Sequence, residues 1–161
     1  MQQIVTNLWI NDSRTTEAVE FYVSLFEDSR ILSRADYGPE SGEYAGEPMV
    51  INFQLMGRAY AAINGGGTRF EANESVSLAV PCDTQEEIDR LWDALVEGGE
   101  PSMCGWLKDR FGFAWQVYPT ALDAMMLDPD PEKVRRVTQA FMAVERRAFV
   151  LADLEAAFEG R

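Results

Sequence analysis

The chain of 161 residues contains no histidine. That absence removes Ser-His-Asp triads, Cys-His pairs, His-containing zinc sites and the two-His-one-carboxylate iron site. Two cysteines, Cys82 and Cys104, are too few for a thiolate zinc site or a disulfide scaffold. Lysine is almost missing: only Lys108 and Lys133 stand among 14 basic residues, against 27 acidic ones, for a net charge of −13. A nucleic-acid backbone is gripped by clustered Lys and Arg, so no nucleic-acid partner is expected. No apolar run is long enough to span a bilayer, so no membrane partner is expected either. The opening MQQIVTNLWIND has no basic n-region and no apolar h-region. With so few cysteines, the expected setting is cytoplasmic, with reduced thiols and no Cys82–Cys104 bridge.

What is present suits a globular fold, with 47% hydrophobic and 11% aromatic residues. A shift of 70 places partly matches the sequence to itself: Leu8 falls on Leu78, Ile10 on Val80, Glu17 on Glu87, Tyr22 on Trp92 and Leu25 on Leu95. Each copy reads strand, polar break, amphipathic helix. In the second, Asp83 and Glu86 form a capping box, Ile88, Leu91, Trp92 and Leu95 make one helical stripe, and Gly98-Gly99 ends it. In the first, Asp12 or Ser13 caps, and Ala18, Tyr22, Leu25 and Phe26 form the stripe. Strands are expected at about 31–37, 49–56 and 59–64, with a loop over 38–48. After the second helix, strands are expected at about 102–108 and 113–118, joined by a turn at Asp109-Arg110-Phe111-Gly112. The first module therefore reads βαβββ and the second a shortened version lacking a strand. Gly65-Gly66-Gly67 reads as a flexible link between them.

From Thr120 the pattern turns helical. A short helix is expected at about 121–127. The next is capped by Asp130, begins at Pro131 and shows Val134, Val137, Phe141 and Val144 on one face. A last one carries Phe149, Leu151, Leu154 and Phe158. This tail either covers an open part of the sheet or builds a dimer interface. The expected organisation is one domain over 1–119, made of modules at about 1–66 and 73–119, followed by an extension over 120–161.

Side chains alternate across a strand. Thr6, Leu8 and Ile10 share a core face, as do Val76, Leu78 and Val80. The opposite face carries Asn7 and Trp9 in one copy and Ser75 and Ser77 in the other. By the same rule Asn52 and, in the last strand, Gln116 and Tyr118 leave the core. Cys104, Trp106 and Lys108 share one face of their strand, where Lys108 could lower the Cys104 thiol pKa and make it a nucleophile. Trp9, Trp106 and Tyr118 could box a planar or cationic ligand.

Four stretches carry a family resemblance: AVEFYVSLFEDSRI at 18–31, INGGGTRFEANESVSL at 63–78, CDTQEEIDRLWDAL at 82–95 and CGWLKDRFGFAWQVYP at 104–119. They resemble the PhnB-like branch, labelled 3-demethylubiquinone-9 3-methyltransferase, of the vicinal oxygen chelate superfamily. The superfamily includes glyoxalase I, extradiol dioxygenases, fosfomycin resistance enzymes and bleomycin-binding proteins. The resemblance implies an α+β fold of paired βαβββ modules curling into a mixed sheet around a cavity, and a homodimer. Carried over, the superfamily's metal-ligand positions fall on Asn7, Ser75 or Ser77, Gln116, and Ala61 or Ala62 with Asn64 close by. Neutral amides and hydroxyls are weak ligands for divalent metals, so no metal and no cofactor are expected. The methyltransferase label conflicts with the sequence, because Gly65-Gly66-Gly67 leads into another strand and not the helix that a nucleotide-like cofactor turn needs.

The leading expectation is a metal-independent small-molecule-binding protein whose cavity is lined by Asn7, Trp9, Asn52, Asn64, Ser75, Ser77, Cys104, Trp106, Lys108, Gln116 and Tyr118. The alternatives are an enzyme, using either an atypical Asn/Ser/Gln metal site or the Cys104 thiol, and a dimeric scaffold with no open pocket.

Overall fold

A computed structural model describes residues 4–161. The chain divides into two compact units, Met1–Glu71 and Ala72–Arg161. In the first, β1 (Thr6–Ile10) leads to α1 (Thr15–Leu25), then β2 (Arg30–Asp36), β3 (Pro48–Leu55) and β4 (Arg58–Asn64). The four strands form one sheet in the order β1-β4-β3-β2, with β1 parallel to β4 and the other pairs antiparallel. Met56 and Gly57, both at positive φ, make the tight β3–β4 turn. Leu8, Ile10, Ile51, Phe53 and Ala62 are buried with Ala18, Val19 and Tyr22 of α1. Leu25 and Phe26 are only half-buried. Neither Asp12 nor Ser13 caps α1. Both lie at positive φ in a sharp turn out of β1, and Arg14 takes the cap position without a side-chain bond.

The second unit repeats the plan with β5 (Leu78–Cys82), α2 (Gln85–Val96), β6 (Glu100–Pro101), β7 (Trp106–Lys108) and β8 (Ala114–Pro119). Its sheet runs β5-β8-β7-β6, with β5 parallel to β8. The strand pattern is thus the same in both units, as the internal repeat requires. The second module lacks no strand. The strand that the sequence pattern does not reveal is β6, two residues directly after Gly98-Gly99, too short to show a period. The expected strand over 102–108 shrinks to β7, because Cys104 and Gly105 have positive φ and turn the chain back. Val76 does not join the core. It precedes β5 and is 71% exposed.

The stripe of α2 is buried as its spacing requires, at Ile88, Leu91, Trp92 and Leu95. The capping box sits one residue later than expected, on Thr84 and Glu87. Thr84 has the extended backbone a cap needs, and Glu87 accepts the backbone N–H groups of both Asp83 and Thr84. Three helices follow: α3 (Ala121–Met126), α4 (Pro131–Met142) and α5 (Leu151–Glu159). Asp130 caps α4 by accepting from the Glu132 N–H at 2.9 Å. The tail is tied into the second unit. The Cys104 N–H donates to the Val144 carbonyl, the Gln85 amide donates to the Phe149 carbonyl, and Val137, Val144, Phe149 and Leu154 are buried. Among the described residues no helix is long and apolar enough to cross a membrane.

Candidate functional site

Each sheet has one face under its helix and one open face. In the first unit, register sets Asn7 beside Ala61 and Trp9 beside Ile63, and places Asn52 on the same side. Asn52 donates to the Ser33 hydroxyl at 2.9 Å, and Asn7 turns back onto the Val5 carbonyl. Trp9 is half-buried for a local reason. Its indole N–H donates to the Thr68 carbonyl at 3.1 Å and its ring packs edge-on against Phe70. Asn11 donates to the Phe70 carbonyl, and Asp12 pairs with Arg69. The triple-glycine segment is therefore laced to the end of β1, which corrects its reading as a free link. Asn64 does not line the open face. It pairs with Ile10 on the helix side and is 2% exposed, and its side-chain oxygen accepts from the Gly66 N–H.

The second unit brings more of the expected residues together. Gln116 of β8 lies between Ala79 of β5 and Trp106 of β7, on the face that also carries Lys108 and Tyr118. Its amide N–H donates to the Ser77 hydroxyl at 2.7 Å. Lys108 extends to Glu74 at 2.9 Å and holds that carboxyl below the usual glutamate range. Ser75 stays outside β5, exposed and bonded to the Asn73 side chain. Beside β6 and β7 lies a cavity of about 170 Å³, lined by Trp106 and Lys108 together with Glu74, Glu100, Ser102 and Arg146. The last four carry no sequence signal for a site. Arg146 reaches the cavity only because Met103 bridges to Glu145 and Ser102 accepts from the Arg146 N–H.

Cys104 does not share the face of Trp106 and Lys108. It stands in the turn before β7 with φ of 55°, and its sulfur lies 4.0 Å from that of Met142 in α4. Burial raises its pKa, and the Lys108 ammonium is paired elsewhere. Cys82 is buried deeper, and burial pushes its thiol up to about 11. Both cysteines are free. Alkylation by iodoacetamide near neutral pH is thus expected to be slower at either cysteine than at an unperturbed thiol, and unchanged at Cys104 in Lys108→Met. Rapid modification of Cys104 that Lys108→Met abolishes would restore the thiol-enzyme reading.

The residues do not fit a divalent metal centre. The positions implied as ligands hold Asn7 and Ala61 in the first sheet and Ser77 and Gln116 in the second, all neutral. Among the described residues, no group of three or more His, Cys, Asp or Glu could hold a metal ion.

A βαβββ module repeated with one strand order defines the vicinal oxygen chelate fold. FosX, the fosfomycin resistance protein of Listeria monocytogenes, shares it at a TM-score of 0.51 and 12% identity, over 79% of this chain and 97% of that one. A protein of Pseudomonas aeruginosa shares it at 0.62 and 24%, over 74% and 98%. Residues 2–118 match the family described as 3-demethylubiquinone-9 3-methyltransferase. The PhnB protein of Bacillus cereus is 31% identical with a TM-score of 0.64, over 73% of this chain and 99% of that one. The chain belongs to this PhnB-like family. Comparison with curated proteins gives no match.

Proposed function

We propose that this protein binds a small molecule without a metal, on the open face of its second sheet. The observation that carries the reading is the group formed by Ser77, Gln116, Trp106 and Tyr118. A preformed amide–hydroxyl pair is flanked there by two aromatic side chains. Apolar surface with a few placed polar groups is the usual make-up of a small-molecule site. The open face of the first sheet, with Asn7, Trp9 and Asn52, is a second candidate surface. Methyl transfer is not part of the reading, since Gly65 accepts from the Thr68 N–H in a turn followed by irregular chain. On this proposal residues 1–119 are the binding domain and 120–161 an extension, and the chain acts in the cytoplasm as a homodimer, the latter as the family resemblance implies.

The test is a small-molecule screen against the full chain, repeated on Gln116→Ala. Loss of one hydrogen bond that orients the ligand should weaken hits by about tenfold while the melting temperature holds. A screen without any hit that depends on Gln116 would overturn the reading. Stoichiometric divalent metal in protein purified without chelators would overturn its metal independence.

A further inference from the structure

The cavity beside β6 and β7 carries four charges that cancel in pairs of different kinds. Lys108 and Glu74 satisfy one another across 2.9 Å. Glu100 and Arg146 also line the cavity. Neither has a side-chain partner among the described residues, and their backbones are offset by two strand positions. Glu100 pairs with Lys108 in the β6–β7 ladder. Arg146 is held two registers along, where its N–H donates to the Ser102 carbonyl at 2.9 Å and the Ser102 N–H donates to the Trp106 carbonyl at 2.8 Å. Two strand steps amount to about 6.6 Å. The half-buried Trp106 stands opposite Ser102, in the same register as Arg146, and its side chain also lines the cavity.

A carboxylate and a guanidinium lining one cavity, offset along the strand and with an aromatic ring beside them, match a molecule of the inverse pattern. Arg takes a carboxylate in fork geometry. Glu100 takes an ammonium, and the indole covers a short aliphatic span. The volume of about 170 Å³ has room for a molecule of a few carbons. The chain's net charge of −13 repels simple anions, whereas a zwitterion carries no net charge against that field.

We infer that this cavity binds a small aminocarboxylate, its carboxylate on Arg146, its ammonium on Glu100 and its methylenes over Trp106. The inference rests on the ligand-binding reading of the same face and names the ligand class. It is tested on the full chain by following the Trp106 indole N–H resonance, assigned with Trp106→Phe, during titration with 4-aminobutyrate, butyrate and butylamine. The expected result is a saturable shift with 4-aminobutyrate and binding at least about tenfold weaker for either monofunctional control, the scale of one charged hydrogen bond. Glu100→Gln and Arg146→Met should each weaken 4-aminobutyrate by about tenfold or more without lowering the melting temperature. Butyrate or butylamine binding as tightly as 4-aminobutyrate would overturn the inference, as would unchanged binding in both variants or no saturable shift. If a ligand of another class is lost in Gln116→Ala while 4-aminobutyrate gives no shift, only this inference falls. Silence from every compound removes both readings.

Discussion

Gly105→Ala is expected to destabilise the protein by about 3–5 kcal/mol, the sum of left-handed backbone strain and overpacking in a close-packed core. Gly105 has φ of 75°, and a Cβ there would stand 2.5 Å from the Val117 carbonyl oxygen and inside the contact distance of the buried Phe149 ring. Neither neighbour can yield easily. The Gly105 carbonyl accepts from the Val117 N–H at 2.8 Å, so a shift would break a bond to β8, and the Phe149 ring stacks on Phe141. For a chain of this length the melting temperature should fall by roughly 10 °C. Gly112→Ala is the internal control. It has φ of 90° but nothing within 4 Å of an added Cβ, so it should lose only about 1 kcal/mol, the backbone share alone. Equal losses in the two variants, measured by urea unfolding, would show that the close approach at Gly105 contributes nothing.

Asp109→Asn is expected to lose about 2–4 kcal/mol, because hydrogen bonds to a charged acceptor contribute about 1.5–3 kcal/mol each. The Asp109 carboxylate is 3% exposed and accepts from three donors: the N–H groups of Phe111 and Phe113 and the indole N–H of Trp115, the last at 2.7 Å. An amide keeps one acceptor oxygen and turns an N–H₂ toward groups that are themselves donors. Buried donors left unmatched carry their full desolvation penalty. The β7–β8 turn should loosen locally, seen as faster hydrogen exchange at the Phe111 and Phe113 amides. A loss below about 1 kcal/mol, the size of one ordinary neutral bond, would mean that water replaces the carboxylate.

These two residues also show what was legible in the sequence. The stretch CGWLKDRFGFAWQVYP was the most specific sign of family, and its specificity is largely architectural. Gly105, Asp109 and Trp115 build the hairpin, while Trp106, Lys108, Gln116 and Tyr118 face outward. Alternation placed those four correctly on one side because β7 and β8 are regular there. It failed at Cys104, where two successive positive φ angles end the strand and reset the count. Asn64 came in through the resemblance and not through alternation, and its register with Ile10 puts it on the helix side. The helical stripe of α2 was readable from spacing alone. The cavity charges Glu100 and Arg146 were not, since they are brought together by a two-residue strand and a single bridge between a turn and the tail.

The lacing of the triple-glycine segment has a consequence for variation among related chains. An added Cβ on Gly65 would overlap the Trp9 indole, although the two positions lie far apart in sequence. The missing side chain at one site is the room for the large one at the other, so the two form a volume-complementary couple. A lineage that enlarges residue 65 must shrink residue 9 and also move the Thr68 carbonyl, which would lie 2.5 Å from the added Cβ, and with the indole it gives up the N–H that fastens Thr68. A large residue at position 9 should therefore be found only where position 65 is glycine.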